Sequence, residues 1–319
     1  MIRPNSLAEF VGQQNARRIL SVLITASKRR GEPVPHVLMS GPSGLGKTTL
    51  ARIVASEMGG RLIEMVGSSL KNATEMTAQL MELRANDVLF IDEIHALSRK
   101  LEEIMYPAME DRVITTTEAG FDDLMKQLGI RNGDKTRKTH QLPPFTLIGA
   151  TTLLGLTTAP LRSRFRQIIE LEAYNYEELQ TIISNAATKL AFDVPGEVSR
   201  AIAIRSRGTA RTAMTNLMWY RDYVQADGGI ATMAALNAAF ELKGIDQNGM
   251  TRTDREYLRR LIETDEPVGV ETLASALGES PETLEESVEP FLLRRGFINR
   301  TPRGRTATEK AKQLMMELA

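Results

Sequence analysis

Between residue 1 and about Leu171 the chain alternates short, strand-like apolar runs with stretches of helical periodicity. The runs fall at 36–40, 62–66, 87–91 and 145–150, too short for helices and mostly apolar. They are expected to be strands of a parallel sheet covered by helices on both sides. Leu50, Ile53, Val54 and Met58 share a helical face that stops at Gly59-Gly60. From about Glu172 to Gly244 the spacing is almost purely helical. Leu179, Ile182, Ile183 and Ala187 fall on one face, followed by Ala201 to Ile204 and Ala213 to Val224. The polar stretch Gly244 to Gly249 reads as a linker. Beyond it, Leu258, Leu261 and Ile262 mark one amphipathic helix, and Leu273 to Leu277, closed by Gly278, a second. Pro281 opens a third through Leu284, Val288, Phe291 and Leu292. Residues 297–306 then suggest two short strands around a Pro/Gly turn, which completes the pattern of a winged helix-turn-helix. The segment 112–142 fits neither period and is rich in Lys and Arg in its second half.

Candidate chemistry enters at residues 41–48, Gly-Pro-Ser-Gly-Leu-Gly-Lys-Thr, which satisfy G-x-x-x-x-G-K-[ST] in full. The pattern lies between an expected strand and an expected helix, as a phosphate-binding loop must. Backbone N–H groups of the glycine turn and the positive end of the following helix then hold a polyphosphate, with Gly44, Leu45, Gly46, Lys47, Thr48 and Thr49 as the cradle. Lys47 supplies a point charge to the outer phosphates, and Thr48 a hydroxyl to Mg²⁺. Some forty residues on, Val88-Leu89-Phe90-Ile91-Asp92-Glu93 ends an apolar run in two carboxylates. Asp92 at the strand end can hold Mg²⁺ through water, and Glu93 can orient the attacking water. His95 reads as a supporting residue, since no second histidine is near in sequence to argue a metal site. Gly149-Ala150-Thr151-Thr152 brings two hydroxyls to the carboxyl edge of the sheet, where ligands bind in such folds. Just after it, Pro160-Leu161-Arg162-Ser163-Arg164-Phe165 presents two arginines. An arginine supplied by a neighbouring subunit would make hydrolysis depend on assembly. The chain is therefore expected to bind ATP with Mg²⁺ and to hydrolyse it.

Composition narrows this picture without redirecting it. At 319 residues there is room for two or three domains. The absence of cysteine excludes disulfides, thiolate zinc sites and cysteine nucleophiles, and fits a cytoplasmic protein. No apolar run approaches the ~18 residues of a membrane span, so no membrane is expected. Forty basic and forty acidic residues cancel, so any DNA contact must come from local patches. The single Trp219 and few aromatics argue against a surface that stacks many unpaired bases.

Ile2-Arg3-Pro4, Phe10 to Gln13, GPSGLGKTTLA, FIDEIH, Tyr106 to Asp111, Leu142 to Thr152, Pro160 to Phe165, Arg205 to Thr209 and Arg300 to Arg305 together resemble RuvB. That family comprises the AAA+ motors of bacterial Holliday-junction branch migration, and the resemblance runs colinearly over nearly the whole chain. It implies an α/β P-loop AAA+ domain with a parallel sheet (1–171), a small all-helical lid domain (172–245) and a C-terminal winged helix-turn-helix domain (246–319). By motif position it implies Lys47 and Thr48 as Walker A residues, Asp92 and Glu93 as Walker B, and Thr152 as sensor 1. Arg164 would be the arginine finger acting on a neighbour's nucleotide, and Arg211 sensor 2. Arg3, Pro4, Val11, Gly12 and Tyr174 would line the adenine pocket. The working form would be a homo-hexameric ring around duplex DNA.

The chain departs from the family at Ser43, Leu153, Ala210 and 217–221, and most of all at 112–141. In the family a shorter β-hairpin there docks onto RuvA. Here the segment is longer, with a helix-like Phe121 to Leu128 and a basic tract of Arg131, Lys135, Arg137 and Lys138, so the coupling surface to a RuvA-like partner is rewritten. In the winged domain, Glu282, Glu285, Glu286 and Glu289 make the third helix a poor one for a phosphate groove. Arg294, Arg295, Arg300, Arg303, Arg305 and Lys310 follow with no acidic residue before Glu309. Arg300, Arg303 and Arg305 are the expected contacts to double-stranded or four-way junction DNA, through phosphates and without sequence preference. The favoured expectation is an ATP-driven DNA translocase for branch migration of Holliday junctions. The alternative is a RuvB-derived AAA+ adaptor or loader that remodels a protein partner. A third, a nucleotide-gated switch that hardly hydrolyses, is opposed by Glu93.

Overall fold

A computed structural model describes residues 2–116, 138–264 and 266–317. They divide into two units, Met1–Tyr174 and Asn175–Ala319.

The first unit opens with α1 (Gln14–Arg30), whose Ala16, Leu20, Ile24 and Ser27 recur on one buried stripe. Next come β1 (Val37–Ser40), α2 (Lys47–Met58), β2 (Leu62–Val66), α3 (Ala73–Met81), β3 (Val88–Asp92) and α4 (Arg99–Glu110). The antiparallel pair β4 (Val113–Thr116) and β5 (Lys138–Gln141) follows, then β6 (Thr146–Thr151), the short α5 (Ala159–Arg162) and β7 (Gln167–Glu170). The five-stranded sheet has the order β2-β3-β6-β1-β7, and every pairing in it is parallel. β1 and β6 are buried along their whole length, which is why their sequences are unbroken apolar runs rather than alternating ones. The expected strand 62–66 appears with those bounds, and the other three with ends shifted by no more than one residue. β7 was not anticipated: as an edge strand it buries Ile169 while Ile168 stays exposed, so its signal is two residues long.

Gly149 sits in β6 where a Cβ would come within 3.1 Å of Leu38, Ile94 and Phe165 side chains, so the centre of the core closes on a bare backbone. Leu89, Ile91, Leu101, Met105, Leu147 and Leu161 belong to the same cluster, which fastens α4 and α5 to the sheet. The segment that fits no period starts and ends in the β4–β5 ladder, with Val113 opposite Gln141 and Thr116 opposite Lys138. Phe121 to Leu128, Arg131, Lys135 and Arg137 lie outside the described residues.

The second unit continues with α6 (Tyr176–Lys189), α7 (Gly196–Ile204), α8 (Ala210–Ala226) and α9 (Met233–Leu242). Asn175 caps α6 in a reciprocal capping box with Glu178, marking its start in sequence as well as in space. Next come α10 (Arg252–Thr264), α11 (Val270–Leu277), α12 (Pro281–Thr283), a π-turn (Leu284–Val288), α13 (Glu289–Arg294), the hairpin β8 (Ile298–Thr301) and β9 (Gly304–Ala307), and α14 (Glu309–Glu317).

Two expectations are corrected here. The third helix of the winged domain is not one regular helix. Pro290 has no N–H to give to the carbonyl four residues back, and the turn ahead of it widens into a π-turn. Gly304, whose place between Arg303 and Arg305 reads in sequence as letting a wing turn approach the DNA backbone closely, is instead required by packing within the domain. Its φ is 140°, and a Cβ there would lie 2.6 Å from the Val268 carbonyl oxygen, because Val268 pairs with Arg305 as a third piece of strand.

Candidate nucleotide site

The phosphate loop leaves β1 and enters α2, so its backbone is set by a fully buried interior strand of the sheet, paired with β6 on one side and β7 on the other. Gly41, Gly44 and Gly46 all have φ between 82° and 134°, a region L-side chains avoid. Steric demand is added at two of them. A Cβ on Gly41 would lie 2.5 Å from the Leu171 carbonyl oxygen, and one on Gly46 would lie 2.7 Å from the Phe10 ring. Lys47 is 7% exposed, and its ammonium donates to the carbonyls of Gly41 at 2.5 Å and Pro42 at 3.1 Å. The lysine charge is thus drawn into the concavity of the loop. Thr48 and Thr49 occupy the first turn of α2, half-buried.

Strand order decides what faces this loop. β6 lies between β1 and β3, so the carboxyl end of β6 separates the loop from Asp92 and Glu93. Asp92 closes β3 and accepts from the Glu93 N–H at 3.1 Å through Oδ1. Glu93 stands at φ 46°, a left-handed conformation rare for a non-glycine residue, which turns its side chain back over the sheet edge. Gly67 accommodates this turn, since a Cβ there would meet the Glu93 carbonyl oxygen at 2.4 Å. Glu93 Oε2 accepts from Thr152 twice, from its N–H at 3.2 Å and its hydroxyl at 3.0 Å. His95 Nδ1 lies 3.2 Å from the same oxygen and 2.8 Å from the Thr151 hydroxyl. Walker-type carboxylate, β6 threonines and histidine therefore form one connected set. The sequence placed His95 as a supporting residue but gave no sign that Thr151 was its partner.

A hydroxyl on Thr48 and a carboxylate on Asp92 are hard oxygen donors, the class Mg²⁺ takes with water and phosphate oxygens. The residues present therefore suit a magnesium-bound triphosphate. Among the described residues there is no cluster of three or more His, Asp or Glu that would make an all-protein metal cage.

The flank of the loop is built by segments far apart in sequence. Tyr174, 5% exposed, donates its hydroxyl to the Leu45 carbonyl at 2.8 Å. Gln13 staples the N-terminal arm to the strand exit, donating to the Glu172 carbonyl at 2.7 Å and accepting from its N–H at 3.2 Å. Gly12 and Gln13 both adopt positive φ, which bends Val11 and Gly12 in beside the loop. Arg3 is exposed and Pro4 half-buried on the arm ahead of Phe10.

Arg162 is the last residue of α5, and Arg164 lies two residues beyond it. Arg162 is half-buried, while Arg164 stacks on Tyr106 with its guanidinium carbon 4.0 Å from the ring centre.

Chain-wide comparisons bear on this geometry. The chain matches the family model for the Holliday junction DNA helicase RuvB P-loop domain over residues 2–171. It matches the RuvB AAA lid domain over 174–246 and the RuvB C-terminal winged helix domain over 247–316. The chain belongs to the RuvB family. The Holliday junction branch migration complex subunit RuvB of Rubrobacter xylanophilus is 45% identical over 314 residues, spanning 97% of this chain and 85% of that protein. The RuvB Holliday junction branch migration motor of Thermotoga maritima superposes with a TM-score of 0.85 at 40% identity, covering 99% of this chain and 98% of that one. The AAA domain of FIGL-1 in complex with ADP is similar in fold alone, at 17% identity and a TM-score of 0.53 over 75% of this chain and 85% of that one. As a RuvB-family member the chain is an AAA+ ATPase that binds nucleotide with Mg²⁺. Among the described residues no helix is long and apolar enough to cross a membrane.

In the second unit, Arg211 is exposed in the first turn of α8, just after the Thr209 cap. The wing arginines are not equivalent. Glu289 is fully buried and accepts from Tyr257 at 2.8 Å, Arg300 at 2.6 Å and Arg305 at 2.9 Å, and Glu285 takes Arg305 as well. Burial and the Glu289 carboxylate push the Tyr257 phenol well above its usual range. Burial opposes the charge of Arg305, but Glu289 and Glu285 more than offset it and raise its pKa. Arg303 alone of the three sits at the exposed turn, where among the described residues only its N–H is engaged, by the Thr301 hydroxyl at 3.3 Å. The third helix that looked too acidic for DNA supplies the carboxylates that anchor the wing.

Proposed function

We propose that this protein is an ATP-driven DNA translocase that promotes branch migration of Holliday junctions in recombination and repair. Residues 1–171 would be the motor, 172–245 the lid and 246–319 the DNA-binding domain. The reading is carried by one observation: in a chain of the RuvB family, strand order sets Thr152 between the Lys47 loop and the Asp92–Glu93 pair. Lys47 and the loop amides hold the triphosphate, Thr48 and Asp92 hold Mg²⁺, and Glu93 orients the attacking water. Mg²⁺ held by Thr48 and Asp92 would supply positive charge against the charge that develops on the phosphates. Thr152 senses the outer phosphate, and Arg211 takes the sensor 2 role that membership of the family implies. Val11, Gly12 and Tyr174, with Arg3 and Pro4, hold the base. Arg164 completes the site of the adjacent copy in a hexameric ring on duplex DNA. The RuvB relatives are named as subunits of a branch migration complex. Those relatives favour a RuvA-like partner, while the divergence of residues 112–141 sets the surface that would meet it apart from the family's, and a cytoplasmic location fits a motor on chromosomal junctions.

The test is a fluorescent four-way junction with the purified protein, with and without RuvA. ATP-dependent conversion to duplex arms is expected, with ATPase stimulated by the junction. Arg164→Ala should abolish turnover and leave nucleotide binding intact. ATPase indifferent to DNA, combined with protein capture through residues 112–141, would replace this reading with the loader.

A further inference from the structure

Arg164 does not lie loose on its loop. Glu102, Tyr106 and Glu110 recur every fourth residue along α4, and so project from one side of that helix. Glu102, 3% exposed, accepts from the Tyr106 hydroxyl at 2.8 Å and from the Thr158 hydroxyl at 2.7 Å. Thr158 is the N-cap of α5, taking the Leu161 N–H at 3.3 Å. The first carboxylate on α4 therefore pins both the tyrosine ring and the start of the arginine-bearing turn. The Tyr106 ring then lies under the Arg164 guanidinium at 4.0 Å. Glu110 Oε1 is 3.1 Å from Arg164 Nε as an ion pair, and Arg164 Nη1 donates to the Pro160 carbonyl at 2.7 Å. One face and one edge of the guanidinium are thereby engaged. Its Nη2 corner has no partner among the described residues.

We infer that Glu102, Tyr106 and Glu110 are positioning residues that aim Arg164, with Nη2 leading, at the triphosphate of a neighbouring copy. The inference rests on the trans-acting role given to Arg164 above and deepens it. An unrestrained arginine samples many rotamers, and only a small fraction present the fork to a phosphate. Fixing the ring, the ion pair and the backbone acceptor in advance lets the charge meet the transition state without reorganisation, so the effect falls on kcat rather than on nucleotide binding. Glu110 contacts only the Nε side, which leaves the phosphate-facing corner unobstructed.

The experiment uses the full-length protein, measuring steady-state ATPase with junction DNA and fluorescent-nucleotide affinity. Tyr106→Leu should lower kcat by roughly tenfold through loss of the ring face, with KM and affinity unchanged. Tyr106→Phe keeps the face and should recover most of that loss. The decisive arm mixes Tyr106→Leu with Lys47→Ala subunits, which cannot use nucleotide themselves but carry an intact rail and arginine. Turnover per Tyr106→Leu subunit should rise toward the unmutated rate, because its sites now receive well-aimed arginines in trans. A kcat that does not fall, a parallel rise in KM, or a failure of Lys47→Ala to rescue would each overturn the inference. Should Tyr106→Leu unfold, Glu110→Ala carries the same mixture test, since the Glu110 side chain is 54% exposed. Arg164→Ala mixed with Lys47→Ala separates the layers. If Arg164→Ala alone retains turnover, the trans reading itself fails. If it is inactive and rescued while Tyr106→Leu is normal, only the rail is wrong.

Discussion

Glu93 and Thr152 are joined twice, the carboxylate accepting from both the N–H and the hydroxyl of the threonine at 3.2 and 3.0 Å. In this arrangement the carboxylate that would orient water is restrained by the residue that would sense the outer phosphate. A triphosphate that drew the Thr152 hydroxyl to itself would loosen Glu93, and would so link occupancy to readiness for hydrolysis.

From that link, Glu93→Gln should retain Mg-nucleotide affinity and lose turnover by about 10²–10⁴-fold, the usual contribution of a positioned base. Thr152→Val should keep the backbone bond and lose the hydroxyl, lowering kcat with little change in affinity. Nucleotide titration beside steady-state kinetics measures both. Equal loss of affinity and rate in either variant would contradict the link.

Arg303→Ala should weaken duplex binding uniformly across sequences and reduce the salt slope by about one, as expected for one phosphate contact. Arg305→Ala should act first on stability, because its guanidinium is occupied by Glu285 and Glu289. Binding isotherms at several salt concentrations, set against thermal unfolding of the same samples, distinguish the two.

Glu289→Ala removes the shared acceptor of Tyr257, Arg300 and Arg305 from a fully buried position. Breaking one side of such a buried pair costs about 3–5 kcal/mol, so a clear fall in the unfolding midpoint is expected. Glu289→Gln keeps shape and some hydrogen bonds and should fall between. Chemical denaturation of the three proteins ranks them.

His36 carries the clearest pH dependence. Its Nδ1 accepts from the Leu147 N–H at 2.9 Å and its Nε2 reaches the Met109 carbonyl at 3.2 Å, so the folded site suits the neutral ring. Burial lowers its pKa to about 4, with the Met109 carbonyl opposing and Arg112 assisting. The unfolded chain takes up this proton near pH 6.5 and the folded one does not. Stability from this group is therefore complete above pH 6.5 and declines as pH falls toward 4, by about 2 kcal/mol at pH 5. His36→Gln should flatten that part of the profile, read as the difference in urea midpoint between pH 7.5 and pH 5.

Most of the nucleotide machinery was legible because it is local. A glycine loop, the following helix and a strand ending in two carboxylates each announce themselves within a dozen residues, and the resemblance to RuvB rests on the same stretches. What reading along the chain missed was short or remote. β7 spans four residues at a sheet edge, and only Ile169 of them is buried. The wing arginines looked unopposed because the next acidic residue in sequence is Glu309, whereas Glu285 and Glu289 reach them across the fold.

Residue order alone settled most of the elements, the phosphate loop, the acidic pair and the family, since all of these depend on spacing within a few turns or along one strand. Tertiary structure decided which side chains meet: Thr152 with Glu93, Tyr174 with Leu45, Tyr106 with Arg164, and Glu289 with two wing arginines. Such meetings depend on strand order and on helices crossing in space. Strands joined by long connections can be placed side by side in several orders without altering the local pattern that specifies each one.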